Sequence, residues 1–357
     1  MTKDANNRFI LFCTTGLGDS LFCTPAIRWL RRQVPDAEIT VVAKSKILSL
    51  FATNSHINTL LGYHSNPLSY WLTRRKIASG GPYRAAYFFH VNGEVVRLTS
   101  SLPCAEAHAI KLLPGLPPAT QLFPIDPVNR RQWEDFTSMV QRTFGGKNDG
   151  QTDDYEFELP PAKENQAAAE IFFAPFAAAP GPKVGMQLGG SHLGKCWPPE
   201  RFAAVAAAVL QRYGGNVFVN VTNGERPLLE KFFAALPPAL RARCHRLPPT
   251  TINGLAAQLA RLDLFVSNDT GPLHVALAQD RPVVALKAHD DQTFPYTLPR
   301  ETPLRRSIFV RTDTTTSGKK YRESHRAMEC ITVDVVQAEV EAVLTRLGFK
   351  PNCETSD

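Results

Sequence analysis

Long apolar runs are missing from this 357-residue chain. No stretch reaches the roughly 18 residues needed to span a bilayer, so any association with a membrane is expected to be peripheral. The amino-terminal sequence MTKDANNRFILFCTTGLGDS has a polar lead and a short apolar run, Phe9 to Thr14, before glycine, so it reads as neither a signal peptide nor an anchor. Paired cysteines are also missing. Cys13, Cys23, Cys104, Cys196, Cys244, Cys330 and Cys353 form no C-x-x-C pair and no ligand-spaced cluster with histidine, which points to reduced thiols. His56, His64, His90, His108, His245, His289 and His325 form no metal-spaced pair, and no acidic cluster suited to Mg²⁺ stands beside the glycine loops, so no metal or other cofactor is expected. No aromatic-interleaved basic stripe supports nucleic acid, and no internal repeat is evident.

What is present suits a globular protein. Hydrophobic residues make up 43% and charged residues 20%, enough apolar surface for a sizeable core, and the length favours two domains. The 40 Lys and Arg exceed the 33 Asp and Glu, and this +7 balance favours an anionic partner.

Strand and helix signals alternate. Arg8 to Thr14 reads as a strand, Ser20 to Gln33 as a helix, and Glu38 to Ala43 as a short β-branched strand of the buried parallel kind. Further strands are expected near residues 59–61 and 85–89, whereas 63–83 shows no clear period and reads as a loop. An Ala/Pro-rich stretch from Pro160 to Pro182 marks the boundary. Alternation then restarts through strands near 183–187, 216–221, 264–267 and 282–286, closing with an amphipathic helix at 333–347. The expected fold is α/β with two doubly wound domains, 1–170 and 171–330, and a terminal segment 331–357 expected to pack back on the first domain.

Three loops, each between a strand and a helix, can carry chemistry. In Thr14-Thr15-Gly16-Leu17-Gly18-Asp19-Ser20 the dinucleotide pattern G-x-G-x-x-G fails at Leu21, which disfavours a nicotinamide dehydrogenase, and no P-loop lysine follows. Asp19 then serves either as a helix cap or as a carboxylate at the sheet edge. In Gly189-Gly190-Ser191-His192-Leu193-Gly194-Lys195, small residues let backbone approach a ligand, Ser191 offers a hydroxyl, and Lys195 is a point charge suited to phosphate or simply to solvent. Asn268-Asp269-Thr270-Gly271-Pro272-Leu273-His274 puts capping residues and an early proline where a helix starts, with amides that favour an anion. His274 is equally a ligand or a half-buried helix histidine. Glu225 can accept from a ribose hydroxyl or cap its own helix. Arg28 and Arg31 on one helix, and Arg75 in the aperiodic stretch, can meet an anionic acceptor or stay solvated.

Together G-L-G-D-S-L-F-C-T-P-A-I-R-W-L-R-R, G-S-H-L-G-K-C-W-P-P-E-R-F and L-D-L-F-V-S-N-D-T-G-P-L-H-V-A-L-A resemble the glycosyltransferase family 9 heptosyltransferases of lipopolysaccharide synthesis. The resemblance is good over 8–60 and 183–290, and poor over 62–180. It implies a GT-B architecture of two Rossmann-like domains facing a cleft, with the acceptor on the first and the nucleotide sugar on the second. It also implies an inverting, metal-independent transfer of heptose from ADP-heptose to an anionic inner-core glycolipid at the cytoplasmic face of the inner membrane. Asp19 matches the catalytic carboxylate, acting as general base beside Gly18. Ser191 and Lys195 match phosphate-contacting positions, Glu225 the ribose acceptor, and Asp269, Thr270, Gly271 and His274 the donor-binding D-T-G-x-x-H. Two departures stand out: Gly190 replaces a hydroxyl residue, and KAHDDQTFPYTLPR lacks the usual F-G-x-T/S-D run. They leave open a family 9 enzyme with another nucleotide sugar or acceptor, and a nucleotide-sugar epimerase of similar build remains the competing class.

Overall fold

β1 (Arg8–Cys13) is apolar at almost every position because parallel strands are covered on both faces, and only Arg8 escapes full burial. The computed structural model describes residues 7–124, 132–145, 156–190, 193–287, 302–309 and 328–352. Within these, the chain forms two units, residues 1–159 and 160–357.

In the first unit β1 is followed by the short α1 (Leu17–Leu21) and by α2 (Thr24–Gln33). Next come β2 (Glu38–Lys44), β3 (Thr59–Tyr63), α3 (Pro67–Gly80), β4 (Tyr83–Phe88) and α4 (Gly93–Thr99). β5 (Cys104–Ala109), β6 (Thr120–Leu122) and α5 (Gln132–Arg142) complete it. All strands are parallel, in the order β3-β2-β1-β4-β5-β6.

The second unit opens with α6 (Lys163–Phe173), then β7 (Lys183–Gln187), α7 (Pro199–Tyr213), β8 (Asn216–Asn220) and α8 (Arg226–Ala235). β9 (Cys244–Arg246), α9 (Ile252–Leu259), β10 (Leu264–Asn268), α10 (Gly271–Ala278), β11 (Val283–Lys287), β12 (Arg305–Phe309) and α11 (Val333–Arg346) follow. Its order, β12-β11-β10-β7-β8-β9, is again all parallel and repeats the arrangement of the first sheet. Each sheet therefore has a switch point, β1/β4 and β7/β10, where a ligand crevice opens beyond the carboxyl ends.

Three expectations change. The division falls at 159/160 rather than 170, because α6 belongs to the second unit. Phe173 and the following Phe176 pack on Phe218, with ring centroids 4.8 and 5.1 Å away, and Asn253 accepts from the Ala162 amide at 2.6 Å. The terminal helix α11 packs within the second unit. Val336, Val340, Val343 and Leu344 join the core of the second, and Arg306 bonds Glu339 at 3.1 Å. Finally, the aperiodic stretch 63–83 contains α3. Asn66 caps it by accepting from the Ser69 amide at 2.9 Å, with Pro67 in the first turn.

Candidate active site

In the first unit, the loop after β1 lies beside the loop after β4. The Thr14 hydroxyl reaches the His90 carbonyl at 3.5 Å, as expected from the register Phe12 to Phe88. Gly16, not Asp19, occupies the cap position of α1, and no side chain caps that helix. Asp19 is the third helical residue, half-buried, one place after Gly18 at the sheet's carboxyl edge. Asp19 therefore lies in the first turn of α1, at the sheet's carboxyl edge, and not at the cap position itself.

His90 was given no role by the sequence. Its ring packs edge-on against Phe136 at 5.0 Å, and burial drops its pKa to about 4, so it is neutral at physiological pH. Both ring nitrogens, like the Thr15 hydroxyl, are buried with no hydrogen-bond partner among the described residues. Such atoms are costly to leave unsatisfied and suit a polar ligand's hydroxyls. The signal that finds His90 is strand order: the β1/β4 adjacency brings it beside Thr14.

Further along this edge Glu94 collects a network. It accepts from Tyr63 at 3.1 Å, Tyr70 at 3.3 Å and Ser65, and pairs with Lys44 at 2.7 Å. Burial pushes the carboxyl up, but the bonds from Lys44, Ser65 and Tyr63 outweigh it and hold the group below the usual carboxylate range. The residues come from β2, β3, α3 and α4, so the network joins those elements.

The arginines expected to meet an acceptor are committed elsewhere in two cases of three. Arg28 is buried, 3.0 Å from the Glu158 carboxylate and 2.8 Å from the Glu156 carbonyl. Arg31 donates to the carbonyls of Pro35, Ala37 and His56 and to Asn58 at 2.6 Å. Both fasten chain segments of the first unit. Arg75 is exposed and lies over the Trp71 ring, 4.9 Å from its centroid.

In the second unit Asn268, unassigned from sequence, joins the two switch-point loops. Its amide nitrogen donates to the carbonyls of Gln187, Leu188 and Gly189 at 3.0 to 3.3 Å, and its oxygen accepts from the Trp197 amide at 3.0 Å. The Trp197 indole in turn donates to the Ile331 carbonyl at 2.8 Å. The loop of Gly190 and Lys195 is therefore pinned at both ends, while Ser191 lies outside the described residues. Gly189 has a further reason to be glycine: a Cβ there would sit 1.8 Å from Glu225 Oε1.

Glu225 serves its own turn. Its Oε2 accepts from the Thr222 amide and hydroxyl at 2.8 and 2.9 Å, a reciprocal capping box, while Oε1 faces Gly189. Asp269, Thr270 and Gly271 bring the chain into α10, whose cap position is Thr270. His274 is buried 3.9 Å from Asp269, and burial takes its pKa to about 4. Asp269 opposes that fall, and the charges of Lys195 and of Lys287 at the end of β11 reinforce it. Lys287 is itself buried. Two lysines thus flank His274 at an edge rich in backbone amides, a setting suited to an anion. Among the described residues no group of three or more His, Cys, Asp or Glu could hold a metal ion.

Comparison with known proteins agrees with this build. Lipopolysaccharide heptosyltransferase 3 of Escherichia coli is 25% identical over 301 residues, covering 78% of this chain and 82% of that protein. A family 9 glycosyl transferase from Veillonella parvula has the same fold, with TM-score 0.79 and 18% identity over 97% of this chain and 99% of that one. An Escherichia coli ADP-heptose lipopolysaccharide heptosyltransferase II matches with TM-score 0.73 and 18% identity over 96% and 99%. The two parallel α/β sheets are those of the GT-B heptosyltransferases. The profile of glycosyltransferase family 9 (heptosyltransferase) covers residues 125–326, more than half of the sequence, so this chain is a glycosyltransferase and belongs to that family.

Proposed function

We propose that the chain transfers heptose from ADP-heptose to an anionic sugar of a lipopolysaccharide inner core, with inversion, at the cytoplasmic face of the inner membrane. The observation that carries this reading is the contrast between the two sheet edges. One carries a carboxylate and, on the neighbouring loop, a neutral histidine, and the other presents two lysines and helix amides.

In this reading the second unit holds the donor. Lys195, Lys287 and the amides at the start of α10 receive the diphosphate, and Gly190 lets its backbone approach. Asp269 and His274 shape the same pocket, and Ser191 adds a phosphate contact. Glu225 Oε1 meets the ribose while Oε2 keeps its capping bonds. The first unit holds the acceptor, whose hydroxyls bond Thr15 and His90. Asp19 removes the acceptor proton as that oxygen attacks the anomeric carbon. The bond to ADP breaks, its electron pair goes to the departing phosphate oxygen, and the fixed cations and amides stabilise the charge that appears there. No bound metal is assigned a step. Support comes from the family relation, from the shared fold of the Escherichia coli ADP-heptose lipopolysaccharide heptosyltransferase II, and from the chemistry of each edge.

The experiment is thermal unfolding of wild type and Lys195→Ala with ADP, UDP, GDP or NAD at equal concentration, since a ligand of the folded state stabilises it by RT ln(1 + [L]/Kd). Stabilisation by ADP, diminished in the variant, is expected. A preference for UDP or GDP removes heptose as the sugar, and a response to NAD alone overturns the reading.

A further inference from the structure

α3 presents an outward stripe that the chemistry above does not use. Leu68, Trp71 and Leu72 are 66%, 52% and 45% exposed, and Arg75 and Lys76 follow them, exposed as well. Spacings of three and four residues place Leu68, Trp71, Leu72 and Arg75 on one helix face. Tyr70, Thr73 and Ile77 form the buried face. Elsewhere among the described residues large exposed apolar side chains such as Leu112, Leu122 and Ile171 are dispersed along the chain, as is ordinary for a protein surface.

The stripe is cationic. The helix contains no Asp or Glu. Arg74 is bonded to Ser101 at 3.1 Å, but Arg75 lies on the Trp71 ring and points its charge along the apolar strip. The support is firm: Asn66 caps the first turn, Tyr70 joins the Glu94 network, and the Ile77 carbonyl accepts from Tyr83 at 2.9 Å. An exposed indole between leucines, with a guanidinium and an ammonium one turn away, matches the boundary of an anionic bilayer. Apolar groups enter the acyl region there, the indole sits at headgroup level, and cations meet phosphate. A soluble acidic protein would match the charges but leave the apolar strip without a complement.

We infer that α3 docks the protein on an anionic lipid bilayer through Leu68, Trp71, Leu72, Arg75 and Lys76. The inference deepens the proposed use of a lipid-linked acceptor and rests on that reading for its purpose. The first turn of α3, following β3, lies at the same carboxyl edge as Asp19, so docking brings the acceptor half-site beside the lipid surface.

The test uses the full chain and vesicles without nucleotide or acceptor, so its failure is separable from that of the transfer reading. Trp29, Trp133 and Trp197 are buried, which leaves Trp71 as the indole that brominated acyl chains can quench. Quenching is expected with phosphatidylglycerol/phosphatidylcholine vesicles, weaker with phosphatidylcholine alone and weaker in high salt. Trp71→Phe should abolish quenching while keeping co-sedimentation within a few fold. Leu68→Gln with Leu72→Gln should lower co-sedimentation at least tenfold without changing the unfolding temperature or the response to ADP. Arg75→Glu with Lys76→Glu should erase the preference for anionic vesicles. Wild-type co-sedimentation that the leucine variant retains overturns the inference, as does absence of wild-type binding. Self-association lost in the leucine variant, without vesicle binding, also overturns it and assigns the stripe to a second copy.

Discussion

The two units share strand order and parallel register, yet their carboxyl edges carry opposite chemistry. In the first, the loop after β1 carries Asp19 and the Thr15 hydroxyl, and the neighbouring loop after β4 carries the neutral His90. In the second, Lys195 and Lys287 act on His274, and the loops between β7 and β10 are tied by one amide side chain, Asn268. The sheet supplies a place for a ligand, and the loop residues decide which charge that place tolerates.

The largest test of this contrast is Asp19→Asn. If the first edge supplies the base and the second the donor site, turnover should fall by at least about 10², while stabilisation by ADP stays within a few fold of wild type. Near-normal turnover would remove Asp19 from the proton transfer. Asn268→Ala should act on the other edge. Buried carbonyls and the Trp197 amide would lose their partner, costing about 2 to 3 kcal/mol in the second unit, with loss of ADP response. Denaturant unfolding that leaves this unit's transition in place would show that the loops hold without it.

A smaller, pH-dependent effect separates the units again. His90 and His274 have folded pKa values near 4, below the unfolded value of about 6.5. Their neutral burial is fully tolerated above the unfolded value, and stability is lost as pH falls from there toward 4. Between pH 7 and 5 each should cost its unit about 2 kcal/mol. His90→Gln should flatten the acid profile of the first unit alone, and equal flattening in both would contradict the assignment.

Much of the sheet scaffold was legible because parallel strands are short, β-branched and bounded by glycine loops. β1, β2, β7, β10 and β11 fall where the sequence places them. β5 (CAEAHA) escaped because it is half-exposed and poor in β-branched residues. α3 escaped for a different reason: apolar residues occupy its outward face as well as its inward one, so the contrast that reveals a helix is absent. Arg28 looked like a surface charge on a helix because nothing local shows that Glu158, far along the chain, lies 3.0 Å away.

The sequence by itself determined the α/β class, the three strand-to-helix loops and the residue types on them, because these follow from local periodicity and from glycine, acid and lysine placement. Tertiary structure alone decided that β4 lies beside β1 and brings His90 to Thr14, that Asn268 bridges two loops, and that Arg28 and Arg31 fasten segments of the first unit. It also decided that the terminal helix completes the core of the second unit. Those outcomes depend on contacts between residues distant in sequence, whose free energy exists only once the sheets have formed.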